Sequence, residues 1–150
     1  MKINVKTFEQ LANKELYEIL QLRSEVFVVE QDCVYQDIDG KDDKGLHIIG
    51  SKEGEIVAYT RCFKPGDYFK EASIGRVVVK KSQRKYKFGN DIMNASIEAI
   101  KNHYNTSLIK ISAQCYLDKF YTNLGFKAIE EGYLEDGIPH IAMIKSGELS

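Results

Sequence analysis

The chain has 150 residues, of which 43% are hydrophobic and 29% are charged, and its formal net charge is −1 at pH 7. This composition is typical of one soluble globular domain over residues 1–150, and the low net charge favours neither a nucleic-acid nor a membrane partner. No segment approaches the roughly 20 apolar residues of a membrane-spanning helix, and the amino-terminal residues lack the apolar region of a signal peptide. Three widely spaced cysteines indicate reduced thiols, so we expect a cytoplasmic protein. No cysteine and histidine have the spacing of zinc ligands, and we expect no metal site.

The first half of the chain alternates between strand and helix patterns. Residues 2–8 alternate in polarity and predict a strand, and residues 11–27 have apolar side chains at helical spacing. Two strands are predicted within 45–63 around a turn at Glu53 and Gly54, and the β-branched run at 72–81 predicts a central strand.

The second half of the chain continues in the same way. A helix is predicted after Gly89, with four apolar side chains on one face: Met93, Ile97, Ile100 and Tyr104. There follow a strand at 107–114, a short helix closed by Gly125, and two strands, FKAIEEGY and IPHIAMIK, around a turn at Asp136 and Gly137. The order predicts a mixed α/β (α+β) domain.

Charge is distributed unevenly along the chain. Residues 80–87 contain five basic side chains, directly before the helix. A helix amino terminus already carries about half a positive charge, so this arrangement favours a bound anion such as a phosphate. Residues 30–43 contain six acidic side chains. The alternative interpretation is that both segments are ordinary solvated loops.

Three stretches carry a resemblance to a known family. VVVKKSQRKYKFGNDIM resembles the V-x-V…[QR]-x-x-G-x-[GA] motif of the GNAT acetyltransferases, with Arg84 at its first position, Lys87 at the usual middle glycine and Gly89 at its last. AQCYLDKFYTNLGF resembles the next segment of that family, F-Y-x-x-x-G-F. LRSEVFVVEQDCVYQDIDG, IGRVVV and EDGIPH resemble the ElaA branch of the superfamily, over about residues 16–143. The R…VF stretch is also distantly similar to acyl-homoserine-lactone synthases, but YQDIDG and EDGIPH favour ElaA.

The resemblance implies a single GNAT domain. Its sheet would have seven strands, mixed but mostly antiparallel, flanked by helices and splayed between the fourth and fifth strands, with acetyl-CoA as cosubstrate in the wedge. The implied coenzyme-binding residues are Val77, Val78, Val79, Arg84, Lys85, Tyr86, Lys87, Phe88, Gly89, Asn90 and Gln114. The backbone N–H near Val78 would hydrogen-bond the acetyl carbonyl oxygen. Gly89 would need close backbone approach or an unusual φ.

Tyr121 falls on the family's catalytic tyrosine and is the candidate general acid for the leaving thiolate; it would otherwise be a core tyrosine. The candidates for the general base are Glu30, Asp37, Asp39 and His140. Turn formation before Gly40 is the simpler role for the two aspartates, and packing is the simpler role for His140.

Two arginines stand in apolar surroundings in the sequence, Arg23 on a helix face and Arg76 in a strand. A buried arginine needs a partner, and Glu30 is a plausible one for either. We therefore expect Arg23, Glu30, Arg76 and His140 to shape the acceptor pocket, with a purely structural role as the alternative.

The function implied is N-acetyl transfer from acetyl-CoA to a primary amine by direct attack in a ternary complex. The acceptor would be a small-molecule amine or a peptide, and the acidic segment favours a cationic small molecule. A non-catalytic acyl-CoA-binding or regulatory module on the same fold is the alternative. Whether the chain forms a homodimer is left open.

Overall fold

The computed structural model describes residues 1–129 and 131–146, which form one sheet with helices on both faces. The strands within these residues are β1 (Lys2–Thr7), β2 (Leu46–Lys52), β3 (Glu55–Phe63), β4 (Ala72–Val79), β5 (Ile109–Gln114), β6 (Lys127–Ala128), β7 (Tyr133–Glu135) and β8 (Ile138–Lys145). The α-helices are α1 (Asn13–Arg23), α2 (Phe88–Tyr104) and α3 (Asp118–Asn123).

The sheet has the order β1-β2-β3-β4-β5-β8-β6, and β7 also pairs with β8. The β4–β5 contact is parallel and all other pairings are antiparallel. The expected mixed sheet is confirmed, with eight strands in place of seven. The difference arises because FKAIEEGY forms two short strands, β6 and β7; Glu130, between them, lies outside the described residues.

Helix α2 covers one face of the sheet and α1 covers the other. Ile92, Met93 and Ile100 of α2 are completely buried against the sheet. Complete burial of such side chains stabilises the fold by about 1.5–3 kcal/mol each. Ile97 and Tyr104 pack at the edge of the same cluster, as their helical spacing predicts. Ile19 and Leu22 of α1 pack on the opposite face.

Helix α1 continues without a break into a π-helix at Ser24–Glu30, three residues beyond the helical pattern of the sequence. Val26 and Phe27 in this segment are buried on the same face as α1. Because the π-helix is wider than an α-helix, it changes the direction of the last turn, and such turns are frequent at functional sites. No helix in residues 1–129 and 131–146 is both long and apolar enough to cross a membrane.

Candidate active site

A wedge opens in the middle of the sheet between β4 and β5. These strands pair only at Ala72–Ile109 and Ser73–Lys110 and then separate. A cavity of about 910 Å³ lies along the opening. This volume is within the usual range of small-molecule sites.

A β-bulge in β4 contributes to the opening. Gly75 pairs with Arg61 and Val78 pairs with Tyr59, so that two residues, Arg76 and Val77, stand opposite one residue of β3. Arg76 has a φ of 49°, in the left-handed region that a strand residue rarely adopts. A bulge bends its strand and disrupts the local hydrogen-bond ladder, so the edge of β4 turns away from β5 here.

The amino terminus of α2 faces one end of the cavity. Lys87 precedes the helix, and no side chain caps the helix there. Lys87, Gly89 and Asn90 line the cavity together with Arg84, Gln114 and the strand Val77–Val79. The free N–H groups of an uncapped first turn and the helix dipole favour an anion at this position. These residues occupy the positions predicted for coenzyme binding.

Three of the predicted coenzyme residues have a different position. Lys85 and Tyr86 are exposed outside the cavity wall, and Phe88 is buried in the core. The rings of Tyr86 and Phe88 stack with their centroids 5.4 Å apart, and Lys52 Nζ lies 3.7 Å from the centroid of the Tyr86 ring. The side chains of Lys85 and Tyr86 therefore lie on the outer side of the loop, away from the cavity.

The unusual backbone conformation occurs at Lys87 and not at Gly89. Lys87 has φ 60° and ψ 28°, whereas Gly89 lies in the first turn of α2 without a positive φ. A Cβ placed on Gly89 would lie 3.4 Å from Phe120 Cζ, which is an ordinary contact. The expectation of an unusual φ at Gly89 is wrong, because the left-handed turn comes two residues earlier, where the family motif usually has a glycine.

Glu30 pairs with Arg84 and with neither of the arginines predicted for it. Arg84 Nη1 and Nη2 lie 2.5 and 2.9 Å from the two oxygens of Glu30, and Arg84 Nε donates to the carbonyl of Val79 at 3.1 Å. Hydrogen bonding by Arg84 lowers the pKa of Glu30 despite some burial. Glu30 is thus a weak candidate for the general base.

Arg23 and Arg76 take their partners from the loop between α1 and β2. Arg23 Nε lies 2.9 Å from Asp37 Oδ2, and its Nη1 lies 2.7 Å from Asp42 Oδ1. Arg76 Nε lies 2.7 Å from Asp37 Oδ1, and its Nη2 lies 3.4 Å from Asp39 Oδ2. Arg76 lines the cavity, but Arg23 is completely buried and does not. The prediction that Arg23 shapes the acceptor pocket is wrong, because its side chain is buried inside the protein and pairs with Asp37 and Asp42.

Sequence reasoning missed the third arginine of this group, Arg61. Its Nη1 lies 2.8 Å from Asp39 Oδ1 and 3.0 Å from Asp42 Oδ1, and its Nη2 lies 2.9 Å from Asp39 Oδ2. Its position within the apolar strand EIVAYTRCF was the available signal, as for Arg76. We call these six residues (Arg23, Arg61, Arg76, Asp37, Asp39 and Asp42) the arginine–aspartate cluster.

The arginine–aspartate cluster changes the interpretation of the acidic segment. It contains three guanidinium groups and three carboxylates, so its formal charge is zero. Burial alone would raise the pKa of Asp39, but hydrogen bonds from Arg61 and its positive charge outweigh burial and hold the pKa below the usual range. Asp39 is therefore a poor candidate for the base, and both oxygens of Asp37 are already paired with Arg23 and Arg76. The cluster supplies little field to attract cations.

Tyr121 lies on the α2 side of the wedge. It is 5% exposed, packs edge-to-face with Phe120 and Phe126, and lines the cavity. Burial raises the pKa of its hydroxyl above the ordinary value, so the group keeps its proton at neutral pH. A neutral tyrosine in this position can donate a hydrogen bond or a proton into the cavity.

His140 lines the same cavity from β8 and is 6% exposed. Its Nδ1 lies 2.7 Å from the carbonyl oxygen of Ile138, and its Nε2 lies 3.5 Å from Glu135 Oε2. Glu135 also lines the cavity, and its other oxygen accepts a hydrogen bond of 3.2 Å from Ser112. The sequence analysis gave Glu135 no role, although it begins the EDGIPH stretch, because its partners come from two other strands.

The fold and the cavity can now be compared with known proteins. A model of the acetyltransferase (GNAT) domain matches residues 5–146. The chain belongs to the GNAT acetyltransferase family. Protein ElaA of Escherichia coli (strain K12) is 44% identical over 138 residues, covering 91% of this chain and 90% of ElaA. The resemblance to the ElaA branch is confirmed.

Solved structures agree with this assignment to the GNAT family. The crystal structure of Escherichia coli ElaA matches with a TM-score of 0.89 at 39% identity, over 97% of this chain and 100% of that one. An acyl-CoA N-acyltransferase from Pseudomonas aeruginosa matches with a TM-score of 0.91 at 38% identity, with the same coverage. An aminoglycoside 6′-N-acetyltransferase solved with coenzyme A shares the fold, with a TM-score of 0.71 at 14% identity over 95% of this chain and 96% of that one.

Proposed function

We propose that this GNAT protein is an N-acetyltransferase that moves an acetyl group from acetyl-CoA to a primary amine by direct attack in a ternary complex. The observation that carries the proposal is one continuous cavity that joins the uncapped amino terminus of α2 to Tyr121 through the β4–β5 wedge. A cavity that only bound the coenzyme would not need a protonated hydroxyl group beside the thioester.

The residues present suit a coenzyme A pyrophosphate. No side chain caps the first turn of α2, so its dipole and leading N–H groups face the cavity, and Lys87 adds a positive charge at the cavity wall. Val77–Val79 would accommodate the pantetheine chain along the open edge of β4. When bound, acetyl-CoA supplies the activated acetyl group.

Two groups of the chain would then assist the transfer, a backbone N–H of β4 and the Tyr121 hydroxyl. The backbone N–H near Val78 would hydrogen-bond the acetyl carbonyl oxygen, a role that typically contributes about 3 kcal/mol. Tyr121 would donate a proton to the sulfur as the thiolate leaves. Its raised pKa, caused by burial, keeps that proton in place at neutral pH.

The test is release of free coenzyme A thiol from acetyl-CoA by purified protein, with and without a panel of polyamines, amino acids, aminoglycosides and peptides. We expect thiol release that depends on an amine and an acetylated product detected by mass spectrometry. Tight acetyl-CoA binding without transfer to any amine would instead support the alternative, a non-catalytic acyl-CoA-binding module.

A further inference from the structure

We propose that His140 is the general base of the acetyl transfer and that Glu135 is its positioning residue. The inference rests on the proposed function and adds the group that removes the proton from the amine. An amine with the pKa of a lysine, about 10.4, is almost entirely protonated at neutral pH and must lose a proton before it attacks.

The hydrogen bonds of His140 decide which ring nitrogen is basic. Nδ1 lies 2.7 Å from the carbonyl oxygen of Ile138, and a carbonyl oxygen can only accept a hydrogen bond. Nδ1 therefore carries a proton in the neutral ring, and the free lone pair is on Nε2. This is the nitrogen that gains a proton when the ring becomes charged.

Glu135 is held beside that nitrogen. Ser112 Oγ donates to Glu135 Oε1 at 3.2 Å, which leaves Oε2 at 3.5 Å from His140 Nε2. The Tyr133 ring stacks on the imidazole, with centroids 6.3 Å apart and planes 23° apart. The ring is thus oriented by a backbone carbonyl at Nδ1 and by a stacked aromatic ring, and the carboxylate lies beside the basic nitrogen, where an ammonium group could contact both.

The position of His140 places it across the wedge from Tyr121. His140 pairs with Gln114 of β5, while the neighbouring Ala113 belongs to the cluster beneath α2 that contains Tyr121. Side chains alternate along a strand, so Gln114 and His140 point to the opposite face of the sheet. Both His140 and Tyr121 line the same cavity, so a base and an acid would approach a bound thioester from opposite faces of the sheet.

The proton balance of the step is complete. His140 Nε2 takes one proton from the ammonium group and later returns it to solvent. The amine nitrogen then bonds to the acetyl carbon as the carbon–sulfur bond breaks. His140, having released its first proton to solvent, takes a second proton from the nitrogen, and Tyr121 delivers one to the sulfur. The second proton then passes through water to the Tyr121 phenolate, so the products are an amide, a free thiol and one net proton.

The experiment compares His140→Asn, which keeps a donor for the Ile138 carbonyl but has no basic nitrogen, with wild-type protein. The acceptors are propylamine, which is protonated at neutral pH, and trifluoroethylamine, which is largely neutral; the best amine of the panel is added as a third. We expect kcat/KM for propylamine to fall about 100-fold or more, a much smaller fall for trifluoroethylamine, and unchanged acetyl-CoA affinity. His103→Gln is the matched control, since the Nδ1 of His103 also faces a backbone carbonyl, at 3.1 Å, but His103 lies outside the cavity.

Glu135→Gln provides a second variant, at a side chain that is 46% exposed and lies outside the core. Loss of the carboxylate should lower kcat/KM for propylamine more than for trifluoroethylamine, since the two residues act on the same proton. Equal losses of activity with both small amines in either variant would overturn the assignment while leaving acetyl transfer established. A wild-type protein that binds acetyl-CoA but acetylates no amine would overturn both proposals.

Discussion

Arg84 and Glu30, fifty-four residues apart in the chain, form a two-point ion pair in the wall of the cavity, with N–O distances of 2.5 and 2.9 Å. Arg84 belongs to the loop before α2, and Glu30 is the last residue of the π-helix. The pair therefore joins the α2 side of the cavity to the side formed by the π-helix, and any anion that approaches Arg84 must compete with Glu30.

The first prediction concerns this competition. Glu30→Gln should tighten acetyl-CoA binding, because Arg84 loses a competing carboxylate. A partly exposed ion pair is worth less than about 1 kcal/mol, so the gain should not exceed about fivefold. Calorimetric titration with acetyl-CoA measures it, with Glu25→Gln on the same π-helix as the control. Weaker binding by Glu30→Gln would show that the ion pair positions the loop and does not compete with the ligand.

The second prediction concerns Tyr121. Tyr121→Phe should lower kcat about 10- to 100-fold with acetyl-CoA affinity nearly intact, because the ring still packs against Phe120 and Phe126 and only the hydroxyl is lost. Steady-state kinetics from pH 6 to 9 provide the measurement. Tyr104→Phe, at a half-buried tyrosine of α2 away from the cavity, is the control. Wild-type kcat in Tyr121→Phe would leave Tyr121 as a packing residue.

The third prediction concerns the backbone at Lys87. A side chain in the left-handed conformation costs roughly 1 kcal/mol relative to glycine. Lys87→Gly should therefore be about 1 kcal/mol more stable to urea than Lys87→Ala, although both lose the same amino group. Lys85, in the right-handed helical turn just before, is the control, and there the alanine variant should be the more stable. If the glycine and alanine variants had the same order of stability at both positions, the left-handed backbone conformation of Lys87 would be contradicted.

The fourth prediction concerns Gly89. Gly89→Ala should be tolerated, since its Cβ would only touch Phe120. Gly89→Val should weaken acetyl-CoA binding, because the larger side chain fills space at the cavity wall beside the helix terminus. Calorimetry on both folded variants tests this, and unchanged affinity in Gly89→Val would exclude the proposed pyrophosphate site.

The fifth prediction concerns the arginine–aspartate cluster. Asp42 lies between Arg23 and Arg61, and Asp42→Asn should cost about 3–5 kcal/mol at pH 7 because it leaves buried positive charge uncompensated. Burial would raise the pKa of Asp42, but the two arginines outweigh burial and lower it. The carboxylate thus stabilises the fold above its unfolded pKa of about 3.9, and this contribution is lost as the pH falls through the lower folded value.

Urea unfolding between pH 7 and pH 3 tests whether the free energy of unfolding falls with decreasing pH as predicted. Wild-type stability should fall across the acidic part of the range, and the slope should be smaller in Asp42→Asn. Asp43→Asn, at the exposed neighbouring carboxylate, should leave both quantities unchanged. If the free energy of unfolding fell equally with pH in the wild type, Asp42→Asn and Asp43→Asn, the arginine–aspartate cluster would not control stability in acid.

Local patterns predicted the elements that depend on neighbouring residues. The turn at Glu53 and Gly54 follows from a glycine between two alternating runs, and both residues have a positive φ. The face of α2 follows from the spacing of Met93 and Ile100. The motif likewise indicated the loop before α2, since its residues are contiguous.

Long-range pairings could not be predicted in the same way. The acidic segment looked like a source of negative field, but Asp37 bonds to arginines 14 and 39 residues away, and no local pattern encodes such a choice. The partner of Glu30 was mistaken for the same reason. The left-handed φ of Lys87 was not predicted because lysine rarely adopts it, although the motif usually has a glycine at this position.

The loop between α1 and β2 separates the residues that anchor it from those that meet the ligand. Its aspartates hold it to the sheet through buried charges, whereas Gln36 is exposed, lines the cavity and is not part of the arginine–aspartate cluster. Val34 is 98% exposed and likewise contributes little to the packing of the loop. Mutations at such positions can accumulate without unfolding the protein, and at Gln36 they would change the cavity wall while the loop keeps its course.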